Sequence, residues 1–288
     1  MSAYLLGIYE KAMPNSFTLR RKLETAAKYH YDFMELSIDE TSEKLGRLNW
    51  TKEEREALRR CCDEVGVPIR TICLSGHRKY PLGSPDAAVR ARSLQIMEQA
   101  IELACDLGVR IIQLAGYDVY YEQPTLETQR LFLEGLQKSV QLAAKYGVIL
   151  AFETMETPFL DTVWKAMKWV QAIESPYLQV YPDIGNCTNA AKLYKTDMLM
   201  DLRSGKGHIA ALHLKETLPG RYREVEYGEG HVDFIGAIRT AQKMGVSIFV
   251  TEFWDVPGID TEEHIAYSRK FIQNEFDMAQ GQTGMARS

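Results

Sequence analysis

Four short stretches of the chain end an apolar run with a side chain that can hold a cation or move a proton. LAFETME carries Glu153, VYPDIGN carries Asp183, ALHLKE carries His213 and VTEFW carries Glu252, at almost regular separations. Three carboxylates and one imidazole brought to a common level can enclose one divalent ion. An oxygen-rich set with a single nitrogen suits Mn²⁺, Mg²⁺, Co²⁺ or Zn²⁺, and it is not the thiolate set of a structural zinc. Taken alone, each carboxylate has a plainer use, as the cap of the helix that follows. Four such ends in succession point instead to a metal centre.

For those ends to meet, the runs that carry them must lie side by side and point the same way. Apolar runs of strand length fall at 4–9, 32–37, 69–74, 110–115, 148–153, 178–183, 209–214 and 246–252, and stretches of helical period separate them. The helices are expected at 18–29, 52–65, 85–107, 125–146, 161–173, 190–204, 234–244 and 261–276. Border residues agree: Thr51 with Glu54, and Pro85 after Ser84, mark helix starts, while Gly66, Gly108, Gly147 and Gly245 follow helical runs. Eight β-α units bury their sheet edges by closing into a ring. The reading is therefore an α/β fold, a single-domain (β/α)8 TIM barrel over 1–288, with a polar tail expected to fray from about 279. An open doubly wound sheet ranks lower, because no G-x-G-x-x-G turn follows the first strand. In a barrel of this kind the carboxyl ends of the strands share one rim, where sites are built.

Whole-chain quantities exclude several classes. The 288 residues carry a formal net charge of −5, so nothing draws the chain towards nucleic acid. The apolar runs are too short to span a membrane, and MSAYLLGIYE does not read as a secretory leader. Cys61, Cys62, Cys73, Cys105 and Cys187 are odd in number and lack paired spacing. A reducing, cytoplasmic setting is expected.

The segments LGIYEKAMP, ELSIDET, CLSGHRKYPLGS, IIQLAGYDVYY, YPDIGN and YGEGHVDF, distributed along nearly the whole chain, resemble the L-ribulose-5-phosphate (L-xylulose-5-phosphate) 3-epimerases. That family lies among the xylose-isomerase-like barrels. The resemblance implies a metal held by Glu153, Asp183, His213 and Glu252, a ketopentose 5-phosphate substrate, and an isomerase that inverts C3 through an enediolate, in L-ascorbate or pentose catabolism. Removing a proton from one face of C3 and returning one to the other needs two bases, and Glu153 and Glu252 are the candidates. Free-sugar 3-epimerases of the superfamily usually have His three residues after the strand-six Asp; Asn186 stands here, in keeping with the phosphate branch.

A phosphate needs cations or amide donors, and the segments after strands one and three offer Lys11, Ser75, His77 and Arg78. The plainer reading makes these solvated rim charges and a hydrogen-bonded loop histidine. Lys215, just beyond His213, and Glu156 are further candidate contacts, and Tyr117, Tyr120 and Tyr121 are candidate pocket walls. The glycines of YGEGHVDF suggest a loop that folds over the sugar. The expected partners are the substrate, the metal and a second copy of the chain. Alternatives kept open are a free-ketose 3-epimerase or aldose-ketose isomerase, a barrel that binds a sugar phosphate without turning it over, and a repair nuclease. The nuclease would need extra histidines and a basic cleft.

Overall fold

Residues 4–281 are described in a computed structural model of the chain. Eight parallel strands form one sheet: β1 (Leu5–Tyr9), β2 (Phe33–Ile38), β3 (Ile69–Leu74), β4 (Ile111–Ala115), β5 (Ile149–Glu153), β6 (Leu178–Tyr181), β7 (Leu212–Leu214) and β8 (Ile248–Thr251). Each pairs with its successor except at one seam, and β1 also pairs with β8. The seam lies between β6 and β7. Two bridges, Val180 to Ile209 and Asp183 to His213, close it. Pro182 has no N–H to give to a ladder, although its carbonyl accepts from the His213 amide at 2.9 Å. Strands six and seven are accordingly shorter than their apolar runs.

The helices are α1 (Leu19–Lys28), α2 (Ser42–Gly46), α3 (Lys52–Val65), α4 (Ala87–Leu107), α5 (Leu126–Tyr146), α6 (Val163–Ile173), α7 (Ile184–Tyr194), α8 (Met198–Ser204), α9 (Phe234–Lys243) and α10 (Thr261–Ala279). The border chemistry explains most of their limits. Thr51 and Glu54 make a reciprocal capping box at the start of α3. Gly108 and Gly147 take the left-handed conformation that ends α4 and α5, with φ of 76° and 67°. Helix α4 begins at Ala87, capped by the Asp86 carboxylate and not by Ser84. The single helix expected at 190–204 is two. Lys195 adopts φ 55° and stops α7, and Asp197 caps α8 through the Met200 amide. The short α2 escapes the sequence reading because one helical turn shows no period. Helix α10 runs to Ala279, and the expected tail lies mostly outside the described residues.

Side chains alternate across each strand. One set packs outward against the helices in a large apolar cluster that includes Leu6, Ile8, Leu36, Ile72, Leu114, Phe152 and Phe249. The other points into the barrel, where Tyr9, Phe33, Cys73, Ile111, Ala151, Tyr181, Ala211 and Val250 form a smaller cluster. A Cβ at Gly7 would sit 2.4 Å from the Phe33 ring. That bare position lets one aromatic ring fill the floor of the barrel. Inward positions at the carboxyl rim are then the ones free to do chemistry.

Candidate metal centre and active site

The inward alternation carries four polar groups to the rim. Ala151 leads to Glu153 at the end of β5 and Tyr181 leads to Asp183 just past β6. Ala211 leads to His213 in β7, and Val250 leads to Glu252 just past β8. All four are buried, and one ligand atom from each lies within 4.8 Å of the other three. The His213 Nδ1 atom is 2.8 Å from Glu252 Oε2 and 3.5 Å from Glu153 Oε1.

Asp183 combines the plain and the chemical readings of a strand-end carboxylate. Its Oδ1 accepts the Asn186 amide and caps α7, while Oδ2 faces the centre. Among the described residues, Asp183 Oδ2, His213 Nδ1 and Glu252 Oε2 are buried without a hydrogen-bond partner. Buried acceptors left unpaired are costly. Two carboxylate oxygens and a ring nitrogen converging in one buried space are a donor set that fits a divalent cation.

Lys215 is the nearest positive group. Its Nζ forms an ion pair with Asp183 Oδ2 at 2.6 Å and lies 3.8 Å from Glu252 Oε2. Burial pushes the Asp183 carboxyl up to about 7, with Glu252 adding to the rise and Lys215 opposing it. Burial also works against charge on Glu252, but Lys215 and His213 outweigh it and hold that carboxyl below its ordinary value. For His213, burial favours the neutral ring, yet the charges of Glu35 and Glu252 prevail and raise it well above its ordinary range.

A narrow cleft open to solvent lies above this centre. Lys11, Ser75, Arg78, Asn186 and Lys215 all reach its lining, together with Glu153 and Glu252. Lys11 pairs with Asp39 at 2.6 Å. It follows Glu10, which is wholly buried and paired with Lys44 and Arg47 at 2.6 Å and Lys22 at 3.2 Å. These partners outweigh the burial of Glu10 and hold it well below the usual carboxylate range. The turn that presents Lys11 is thus fixed from beneath. The Asn186 side chain donates to the Thr154 carbonyl at 2.7 Å and leaves its own oxygen unpaired.

His77 does not reach the cavity. Its Nε2 is 3.1 Å from the Ser93 carbonyl on α4, and burial lowers its pKa to about 4, so the ring is neutral at pH 7 and serves packing. The expectation that it contacts phosphate is set aside. Tyr117, Tyr120 and Tyr121 stand behind Arg78 and do not line the cavity. The Arg78 guanidinium lies 4.8 Å from the centroid of the Tyr120 ring, and the Tyr121 hydroxyl donates to Glu40. Glu156 is in the cavity wall, well before α6 begins, and accepts from the Tyr120 hydroxyl.

The glycine stretch after β7 is held down and does not line the cavity. Glu216 accepts the amides of Thr217, Gly228 and Val232, and the Tyr227 hydroxyl donates to the Leu214 carbonyl. What overhangs the cavity is the preceding turn, closed by reciprocal bonds between Leu218 and Arg221, which places Tyr222 and Arg223 in the lining. Tyr9 and Trp254 complete the wall, with their rings edge to face.

The sequence reading misses five residues at or beneath the site: Glu35, Tyr9, Tyr222, Arg223 and Trp254. Trp254 stands two residues beyond Glu252, and strand alternation would have placed it inward. Glu35 sits in the middle of FMELSI and shows only as a carboxylate in an apolar strand. The loop residues Tyr222 and Arg223 carry no such mark.

The Xylose isomerase-like TIM barrel family matches residues 23–275. The L-ribulose-5-phosphate 3-epimerase UlaE of Escherichia coli strain K12 is 42% identical over 269 residues, which is 93% of each chain. Among solved structures, a D-tagatose 3-epimerase-like protein superposes with a TM-score of 0.79 at 16% identity, covering 97% of this chain and 100% of that one. An L-ribulose 3-epimerase superposes with a TM-score of 0.76 at 19% identity, covering 98% and 99%. At those identities the two structures speak for the fold.

Proposed function

Because the chain belongs to the xylose isomerase-like TIM barrels and, within them, to the family of the L-ribulose-5-phosphate 3-epimerases, we propose that it inverts C3 of a ketopentose 5-phosphate. It would interconvert L-ribulose 5-phosphate and L-xylulose 5-phosphate. The observation that carries this reading is the pair of buried glutamates, Glu153 and Glu252, whose carboxylates lie 3.5 Å and 2.8 Å from His213 Nδ1.

A C3 proton beside a C2 ketone becomes removable only when the charge left behind is stabilised. Glu153, Asp183, His213 and Glu252 would hold a divalent cation of the Mn²⁺, Mg²⁺, Co²⁺ or Zn²⁺ kind, and bound there it supplies Lewis-acid polarisation of the substrate oxygens. One glutamate takes the proton from C3, and the other delivers a proton to the opposite face. Their roles exchange in the reverse direction. Tyr9 and Trp254 wall the sugar and exclude water from the reacting carbon. Lys11, Ser75 and Arg78, from the β1 and β3 ends, hold the phosphate away from the carboxylates, and Asn186 and Lys215 contact the sugar oxygens. The five cysteines are free and four are buried, which suits a reducing cytoplasm. No described helix is long and apolar enough to cross a membrane.

Incubation of L-ribulose 5-phosphate in D₂O with the metal-loaded protein tests the reading. Deuterium should enter at C3 as L-xylulose 5-phosphate forms, and both E153Q and E252Q should abolish turnover with the fold retained. Deuterium at C1 would instead identify an aldose-ketose isomerase. Near-normal turnover in either variant would refute the two-base scheme.

A further inference from the structure

Glu35 lies at the middle of β2, inside the barrel and inaccessible to solvent. Its Oε1 is 2.7 Å from His213 Nε2. Its Oε2 accepts the Thr71 hydroxyl at 2.7 Å and the Tyr181 hydroxyl at 3.0 Å. The four side chains come from β2, β3, β6 and β7 and form one hydrogen-bonded string across the barrel, one inward layer below the rim. Of these four residues only His213 belongs to the group of four at the rim.

We infer that Glu35 is a positioning residue, which fixes the orientation of the His213 ring and commits Nδ1, not Nε2, to the cation. With Oε2 already accepting from two hydroxyls, Oε1 takes the N–H of Nε2 at 2.7 Å, and the lone pair available to an ion is on Nδ1. Nδ1 is the nitrogen that looks at Glu153 and Glu252 and has no hydrogen-bond partner among the described residues. A carboxylate behind a metal-binding histidine also strengthens the ligand and holds its plane. The inference rests on the cation site of the reading above, but not on which sugar is turned over.

E35Q makes a sharp test, because an amide has two unlike ends. The Thr71 and Tyr181 hydroxyls keep the amide oxygen on their side, so the NH₂ group turns towards His213. Nε2 must then accept, and the proton moves to Nδ1, where it points at the cation position. Titration calorimetry with Mn²⁺ should show affinity falling about 10–100-fold in E35Q, whereas Y181F, which leaves the carboxylate against Nε2, should lose far less. A wild-type affinity in E35Q, or an equal loss in Y181F, overturns the inference. Nitrogen-15 spectra of the wild-type protein loaded with Zn²⁺ give a readout that needs no variant to fold. The expected result is zinc on His213 Nδ1 and a proton on Nε2; zinc on Nε2, or no zinc at the centre, overturns the assignment. An inactive wild-type protein that still binds zinc through Nδ1 would count against the proposed reaction and leave this inference standing.

Discussion

Replacing Lys215 by Met should separate the stability of the metal-free protein from that of the loaded one. In the metal-free protein the ammonium is the nearest positive charge to Asp183 Oδ2, at 2.6 Å, and it stands 3.8 Å from Glu252 Oε2. Burial opposes its charge, but these two carboxylates outweigh that and raise its pKa above the ordinary lysine value. Removing one partner of a buried ion pair costs about 3–5 kcal/mol. Asp183, already pushed up to about 7, can take a proton instead of standing charged and alone, which keeps the cost near the lower end of that range. A divalent ion bound to Asp183 and Glu252 neutralises the same oxygens, so the loaded protein should lose much less. By linkage the difference appears as tighter cation binding. If about 2 kcal/mol of the cost is relieved, the affinity of K215M for Mn²⁺ rises about 30-fold, at about 1.4 kcal/mol per tenfold. Urea unfolding with and without Mn²⁺, alongside calorimetric titration, measures both sides of this cycle. Equal destabilisation of the free and loaded forms, with unchanged affinity, would show that Lys215 and the cation do not share those carboxylates.

Two further outcomes are expected. R78Q and K11Q should raise KM for the phosphorylated ketose about tenfold or more with kcat little changed, since a hydrogen bond to a charged group is worth about 1.5–3 kcal/mol; steady-state kinetics showing wild-type KM in both would remove these loops from phosphate binding. The His77 pKa is lowered by burial from 6.5 to about 4, so the unfolded chain takes up the proton first as pH falls. The stability this neutral ring contributes is complete above pH 6.5 and lost towards pH 4, about 3 kcal/mol at roughly 1.4 kcal/mol per pH unit. Unfolding free energies across that window should fall less steeply in H77Q, and an identical slope in the variant would mean that the ring is not buried as neutral.

That Glu153, Asp183, His213 and Glu252 come together was legible because strand-end chemistry is local. An apolar run that ends on Glu153, Asp183, His213 or Glu252 declares its last inward side chain, and eight successive β-α units declare a ring. Helix limits were legible where caps are side-chain events, as at Thr51 with Glu54. They are not legible around Asp183, where the helical pattern starts only at 190 in the sequence while α7 begins at Ile184. The carboxylate caps α7 at once with one oxygen and faces the centre with the other, and nothing in a linear pattern divides one carboxylate between two tasks.

Cross-barrel neighbours belong to the tertiary structure alone. Glu35 and His213 are 178 residues apart and meet only because closure lets β2 and β7 face one another across the barrel interior. Along the chain, a carboxylate in mid-strand cannot be told from one that faces solvent. His77 and Arg78 adjoin in sequence, yet one turns to α4 and the other to the cavity. The glycines after β7 read in sequence as a free loop, yet Glu216 accepts the amides of Gly228 and Val232 on either side of Gly230. Periodicity and capping depend on residues a few positions apart and so are fixed by sequence. Which groups share one desolvated space depends on how the ring closes, and that long-range packing set the supports of the site.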